Sequence, residues 1–305
     1  MILAELPRGD LRRRLAGPGL RLRLGPVVAE IRSRFRVVET GIALHYAEHH
    51  VVGDEEFADF HVSVQRPPSV RRWIKPQAVF HFENRPPFRP LAANQAFPLL
   101  EWGLNWCVSA HCHQYLLVHA AVVERGGRAI VLPAPPGSGK STLCAALVAR
   151  GFRLLSDELA LIDIDRGTLV PLPRPISLKN ESIDLIARFW PDASMSAVVP
   201  DTLKGSVVHV RPPRESVKAS ATSALPGWIV LPRYRSGDPL EMQRLSKAEA
   251  LMQLADSAFN YSIHGRRGFD ALCALVSACD CYRFTYGGDL EGGVRSVGAL
   301  AESAA

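Results

Sequence analysis

Three stretches within residues 1–90 alternate apolar and polar positions: Leu20-Arg21-Leu22-Arg23-Leu24, Phe60-His61-Val62-Ser63-Val64 and Ala78-Val79-Phe80-His81-Phe82. Period-two alternation bounded by Pro and Gly clusters predicts strands of a small, half-exposed sheet. The period then changes. Over residues 97–112, Phe97, Leu99, Leu100, Leu104, Cys107 and Val108 fall largely on one helical face, and helix is expected in this part of the chain only near residues 95–112. Residues 1–112 therefore read as a β-rich N-terminal lobe.

From residue 113 the character shifts. Residues 115–123 form a continuous apolar run carrying His119, followed by a turn at 124–127 and a second apolar run, Ala129-Ile130-Val131-Leu132. Residues 180–190 place Ile183, Ile186 and Ala187 at helical spacing, with Asn180 in position to cap. Ser246-Lys247-Ala248-Glu249 has the form of a capping box ahead of Leu251, Leu254 and Ala258. Phe269, Leu272, Cys273 and Val276 mark another helix leading into a strand at 282–286. Strands and helices mix without strict alternation, which predicts an α/β fold with a mixed rather than purely parallel sheet over residues 113–305. No internal repeat and no low-complexity tract interrupts it.

Composition narrows the class. The chain has 305 residues, ample for a real core, and a spread-out net charge of +6 that suits a phosphorylated or acidic ligand without arguing for nucleic acid. No apolar run is long enough for a membrane span, and the Arg-rich residues 1–25 hold no signal-peptide core. Six cysteines in a chain this long do not make a disulfide scaffold, so a cytoplasmic location is expected. Cys107, His111, Cys112 and His113, like Cys279 and Cys281, lack zinc-ligand spacing and read as packed thiols.

Candidate chemistry begins at residues 134–141, Ala-Pro-Pro-Gly-Ser-Gly-Lys-Ser, between an apolar strand and a helical pattern from Thr142 to Arg150. A strand, a glycine-rich turn ending in Lys-Ser and then a helix is how a chain cradles phosphate. Small residues let backbone N–H groups converge on oxyanions, and the helix N-terminus adds a positive field. Ala134, Pro136, Gly137, Ser138, Gly139, Lys140, Ser141 and Thr142 are thus the expected nucleotide contacts. Lys140 would reach the β- and γ-phosphates, and the Ser141 hydroxyl would serve Mg²⁺. Ala134 departs from the usual first glycine without removing an anion contact.

Asp157 and Glu158 follow. A helix over residues 141–150 climbs about 15 Å and a strand over 153–157 descends about as far, so both acids return to the level of the cradle. Paired acids there can hold Mg²⁺ or accept a proton from an attacking hydroxyl.

His119, Lys140 twenty-one residues on and Asp157 seventeen further resemble the core of bacterial HPr kinase/phosphorylases. The matching elements are His119-Ala120, residues 134–141, Arg150-Gly151 and Asp157-Glu158. Pro173-Arg174-Pro175-Ile176-Ser177-Leu178-Lys179-Asn180, Lys204-Gly205, His209-Val210-Arg211-Pro212-Pro213 and Asn260-Tyr261 look like the divergent group called HprK-related kinase A, from about residue 115 onward. The resemblance implies a phosphoenolpyruvate carboxykinase-like P-loop domain using ATP and Mg²⁺. Asp157 is then the catalytic base, Glu158 and Ser141 serve the metal, and His119 and Lys140 stand beside the reacting group. Glu158 replaces the family's second aspartate, Pro136 replaces a loop serine, and the Arg-Gly-Leu-Gly-Ile stretch of the carrier-protein kinases is absent. The implied acceptor is therefore a Ser/Thr hydroxyl of a peptide or small protein rather than the carrier protein itself. The open alternatives are a nucleotide sensor without transfer and a small-molecule kinase. The family's hexamers make a homo-oligomer an expectation of unstated size. Arg174, Lys179, Lys204 and Arg211, each in a Pro/Gly-bounded loop, are candidate phosphate or substrate contacts.

Overall fold

The computed structural model describes residues 1–68 and 75–302. The alternating stretches form a five-stranded sheet in the order β1 (Leu20–Leu24), β2 (Val27–Ser33), β3 (Phe60–Gln65), β4 (Gln77–Phe82) and β5 (Leu91–Ala92). In β1 the leucines are buried and the arginines between them half-buried, so the pleat itself sorts core from surface. β2 and β3 run parallel, joined through the helix Arg36–His45; the other pairs are antiparallel. The helix Ala96–His111 lies on β3 and β4 and buries Phe97, Leu100, Leu104, Cys107 and Val108.

Helix in this part of the chain is not confined to residues 95–112, as the sequence suggested; Arg8–Ala16 and Arg36–His45 are helical too. The first buries only Leu11 and Leu15, four residues apart among solvated arginines, a stripe too short for periodicity to register. The second carries several β-branched residues, yet Val38, Ile42 and His45 share a buried face; packing overrode propensity. The core beneath this sheet also takes in Leu117, Leu159, Leu161 and Leu172 from later in the chain.

The remaining strands are β6 (Tyr115–Arg125), β7 (Arg128–Pro133), β8 (Arg153–Ser156), β9 (Leu159–Asp163), β10 (Leu169–Val170), β11 (Ile176–Lys179), β12 (Val199–Thr202), β13 (Gly205–Val210), β14 (Leu225–Tyr234), β15 (Glu241–Arg244) and β16 (Asp280–Tyr286). Eight of them make one mixed sheet in the order β10-β9-β6-β7-β14-β16-β15, with β8 also paired to β6. β7, β14 and β16 are parallel and the other pairs antiparallel. Both faces are covered, which is why β6 reads as an unbroken apolar run. Val118, Ala120 and Val122 pack under Leu254, Leu272 and Val276 of the helices Lys247–Asp256 and Arg266–Ala278. Ala121 and Val123 pack under Leu143 and Leu147 of Lys140–Ala149 and Val297 of Leu290–Glu302. β11, β13 and β12 form a small antiparallel sheet.

Ser246 and Glu249 make the expected reciprocal capping box. Asn180 does not cap. It precedes the helix Glu181–Phe189 at φ 52°, ψ −127°, and its Oδ1 instead accepts from the Ser206 N–H at 3.1 Å, tying the helix start to β13. Among the described residues no helix is long and apolar enough to cross a membrane.

Candidate active site

The glycine turn leaves the end of β7 and enters the helix Lys140–Ala149. Gly137 and Gly139 take left-handed conformations, φ 86° and 83°. Ala134 is buried at the entrance, Pro136 and Gly137 are exposed at the tip, and Ser138 and Ser141 are half-buried. Two tyrosines hold the turn against neighbouring strand ends. The Tyr234 N–H donates to the Ser138 carbonyl at 3.0 Å, and the Tyr286 hydroxyl donates to the Gly139 carbonyl at 2.9 Å. A Cβ on Gly139 would collide with that hydroxyl, so the turn fits only glycine there. The helix then presents its N-terminal N–H groups, with buried Lys140 and Thr142 in its first turn.

β6 sets where everything else falls. Its outer edge pairs Val122 with Ser156 and His119 with Leu159, so the turn Asp157-Glu158 lies opposite Ala120 and Ala121. Its other edge pairs Ala120 with Pro133, the last residue before the glycine turn. One strand thus carries the histidine and separates the acids from the turn by a single strand's width. The Lys140 ammonium crosses that gap to donate to His119 Nε2 at 2.8 Å. Burial, and then the neighbouring ammonium, push His119 down to about 4, so the ring is neutral and its Nε2 lone pair accepts. Lys140 is itself lowered by burial, opposed by Asp157 and Glu158.

The two acids are pushed apart. Asp157 is buried, which together with the charge of Glu158 raises its pKa. Lys140, the Ser177 N–H and the nearby Ser141 hydroxyl pull the other way. Its Oδ2 accepts from that N–H at 3.0 Å, while Oδ1 is buried without a hydrogen-bond partner. Burial also acts against the charge of Glu158, but Lys204, Lys179, Lys140 and His119 outweigh it and hold its pKa below the ordinary glutamate value. Glu158 Oε2 accepts from Asn105 Nδ2 at 2.5 Å. Neighbouring carboxyls tuned in opposite directions suit opposite tasks, one taking a proton and one staying anionic.

Of the four expected cations, two face this centre. Lys179 ends β11 rather than lying in a loop, and Lys204, in the β12–β13 turn, has its ammonium 5.1 Å from the Trp102 ring centroid. The other two are committed elsewhere. Arg174 is buried in an ion pair with Glu101 at 2.7 Å, and Arg211 pairs with Glu48 at 2.6 Å. A Pro/Gly-bounded loop was no sign of a free charge, because Arg174 passes buried Glu101 and Arg211 passes half-buried Glu48.

The sequence reading missed the residues contributed by the first part of the chain. Trp102, Asn105 and Glu101 line a small cavity behind the acids, with Arg174, Ser177 and His209 opposite. Trp102 Nε1, Ser177 Oγ and His209 Nε2, like Asp157 Oδ1, are buried there without partners. Glu101 and Asn105, four apart in a mostly apolar helix, were the available signal. Burial keeps Cys107 and Cys112 as thiols, pushed up to about 12, and raises Cys144, which lies buried near Lys140 and Asp157. Among the described residues no three His, Cys, Asp or Glu side chains are grouped to hold a metal ion by themselves.

No protein-family profile and no curated protein matches this sequence. Solved structures do match it, a bacterial kinase/phosphatase among them. The Hpr(Ser) kinase/phosphatase from Coxiella burnetii matches at 11% identity and a TM-score of 0.25, over 61% of this chain and 98% of that one. So loose a superposition carries no argument about the site, which stands on its own geometry.

Proposed function

We propose that this chain is an ATP- and Mg²⁺-dependent kinase, HPr-kinase-like, transferring the γ-phosphoryl group to a Ser/Thr hydroxyl of a peptide or small protein. The observation that carries the reading is the unpartnered Asp157 Oδ1, buried beside Lys140 and Ser141 with its pKa raised by burial and by Glu158. A carboxyl held through one oxygen, with a raised pKa and its other oxygen free beside a glycine turn, suits a general base for an attacking hydroxyl.

The glycine turn and helix N-terminus would bind the phosphates, with Lys140 exchanging its bond to neutral His119 for one to phosphate oxygen. Asp157 Oδ1 accepts the acceptor's proton as its oxygen bonds to the γ-phosphorus and the bond to the β–γ bridging oxygen breaks, releasing ADP. Ser141 and Glu158 would hold Mg²⁺, which supplies charge neutralisation on the phosphate oxygens. Two protein ligands fit this ion, since Mg²⁺ takes its remaining positions from phosphates and water. Lys179 and Lys204 add positive field beside Glu158. A polypeptide acceptor is favoured by exposed apolar side chains at the rim, Phe259 against His119 and Leu203 beside Lys204.

Incubation with γ-labelled ATP and candidate peptides, read by mass, tests this. Asp157→Asn is expected to keep nucleotide affinity within about threefold and to lose transfer by about a hundredfold or more. Unchanged turnover in that variant removes Asp157 as base. Label confined to a low-mass acceptor replaces the polypeptide with a small molecule, and binding without any transfer reduces the protein to a nucleotide sensor.

A further inference from the structure

Glu158 sits in a two-residue turn between β8 and β9, and strand pairing fixes its backbone but not its carboxylate. Among the described residues no Lys or Arg captures that carboxylate within ion-pair distance; the side chain that holds it is Asn105. Asn105 is itself clamped. Arg174 Nη1 donates to its Oδ1 at 2.6 Å, while Arg174 Nη2 donates to Glu101 Oε2 at 2.7 Å and to the Glu101 carbonyl at 2.9 Å. Glu101 Oε1 accepts from the Tyr46 hydroxyl at 2.7 Å. Polarity is forced along the whole chain. A guanidinium only donates, so the amide must turn its oxygen to Arg174 and its NH₂ to Glu158, which only accepts. Glu101 and Asn105 belong to the helix packed on the first sheet and Tyr46 follows the helix Arg36–His45 beside it, whereas Glu158 lies in a turn between two strands of the large sheet.

We propose that Asn105 is a positioning residue which, locked by Arg174, aims Glu158 at the metal ion and so makes metal binding depend on the first-sheet layer. The inference rests on the metal role proposed for Glu158. With Oε2 held by the amide, Oε1 is the oxygen left to ligate. A group that orients a ligand in this way typically controls metal affinity by tenfold to a hundredfold without touching the ion.

The test uses the full chain with ADP and Mn²⁺ as the metal probe. Free Mn²⁺ is followed by electron paramagnetic resonance, and metal-free ADP affinity by calorimetry in EDTA. Asn105→Leu is expected to weaken Mn²⁺ binding to the ADP complex by about tenfold or more while metal-free ADP affinity stays within about twofold. Asn105→Gln, which keeps the amide, is expected to recover part of the loss. Should Asn105→Leu not fold, Glu101→Gln loosens Arg174 from a distance and is expected to shift Mn²⁺ affinity in the same direction by less. If Glu158→Gln weakens Mn²⁺ binding and neither Asn105→Leu nor Glu101→Gln does, the positioning role falls and the metal site stands. If Glu158→Gln leaves Mn²⁺ affinity unchanged, the metal role and the positioning role fall together. An equal loss of metal-bound and metal-free ADP affinity in Asn105→Leu also overturns the inference, since it would mean general disruption of the site.

Discussion

Replacing Arg174 with methionine removes the cation from a buried cluster while keeping a flexible apolar stem. Glu101 would keep only the Tyr46 hydroxyl as a donor from this cluster, and Asn105 Oδ1 would lose its partner. Both members of the ion pair are almost completely buried, 6% and 4% exposed at their side chains, so solvent cannot take over. Breaking such a pair from one side costs about 3–5 kcal/mol. At about 2 °C per kcal/mol for a chain of this length, the melting temperature should fall by about 6–10 °C. The deficit should also depend on pH. Burial raises the Glu101 pKa above its ordinary value of 4.5, and Arg174 opposes that rise; without the arginine the folded-state pKa climbs further. Below the parent's folded-state value both folded proteins hold the proton and the deficit is smallest. As pH rises past it, the parent's carboxyl ionises against Arg174 while the variant's stays protonated, and the deficit grows by up to about 1.4 kcal/mol per pH unit until the variant's buried acid ionises too. Thermal and urea melts followed by circular dichroism at pH 5 and pH 8 measure this directly. The double variant Arg174→Met/Glu101→Leu, with no uncompensated charge, should recover most of the loss. A loss below about 1 kcal/mol, a deficit equal at both pH values, or a double variant no better than the single one would refute the reasoning.

Gly139→Ala forces a Cβ into a φ of 83° and against Tyr286, with Tyr234 Cβ only 2.9 Å away, so about 1–3 kcal/mol of stability should be lost along with nucleotide binding. Retained ATP affinity by calorimetry would show that the turn tolerates a side chain. His45 is buried with both ring nitrogens unpartnered and is pushed down to about 3 by burial and by Arg211. The unfolded chain therefore binds its proton first as pH falls below about 6.5, and stability drains away towards the folded value. His45→Leu should accordingly gain more in melting temperature at pH 5 than at pH 7.5; an equal change at both would show that the ring protonates freely in the folded state.

The strands and the site motif were legible because their signals are local. Leu20, Leu22 and Leu24 alternate because a pleat alternates, and Gly137, Gly139 and Lys140 are spaced by the turn they build. The same locality placed Asp157 and Glu158 at the right height, since helix rise and strand rise are fixed by backbone geometry. It failed where too few residues carry the pattern, as in Arg8–Ala16, or where one side chain had two choices, as when Asn180 bonded to β13 instead of capping its helix. It could not separate Lys179 and Lys204, which face the acids, from Arg174 and Arg211, which are bound to Glu101 and Glu48; a free and a paired cation look alike in sequence, because pairing is settled by residues far away along the chain. The conformation of the glycine turn was thus written in the chain itself. The opposite tuning of the two acids, the neutral histidine beside Lys140 and the hold of Asn105 on Glu158 were decided only in the fold, because desolvation and charge coupling act through space.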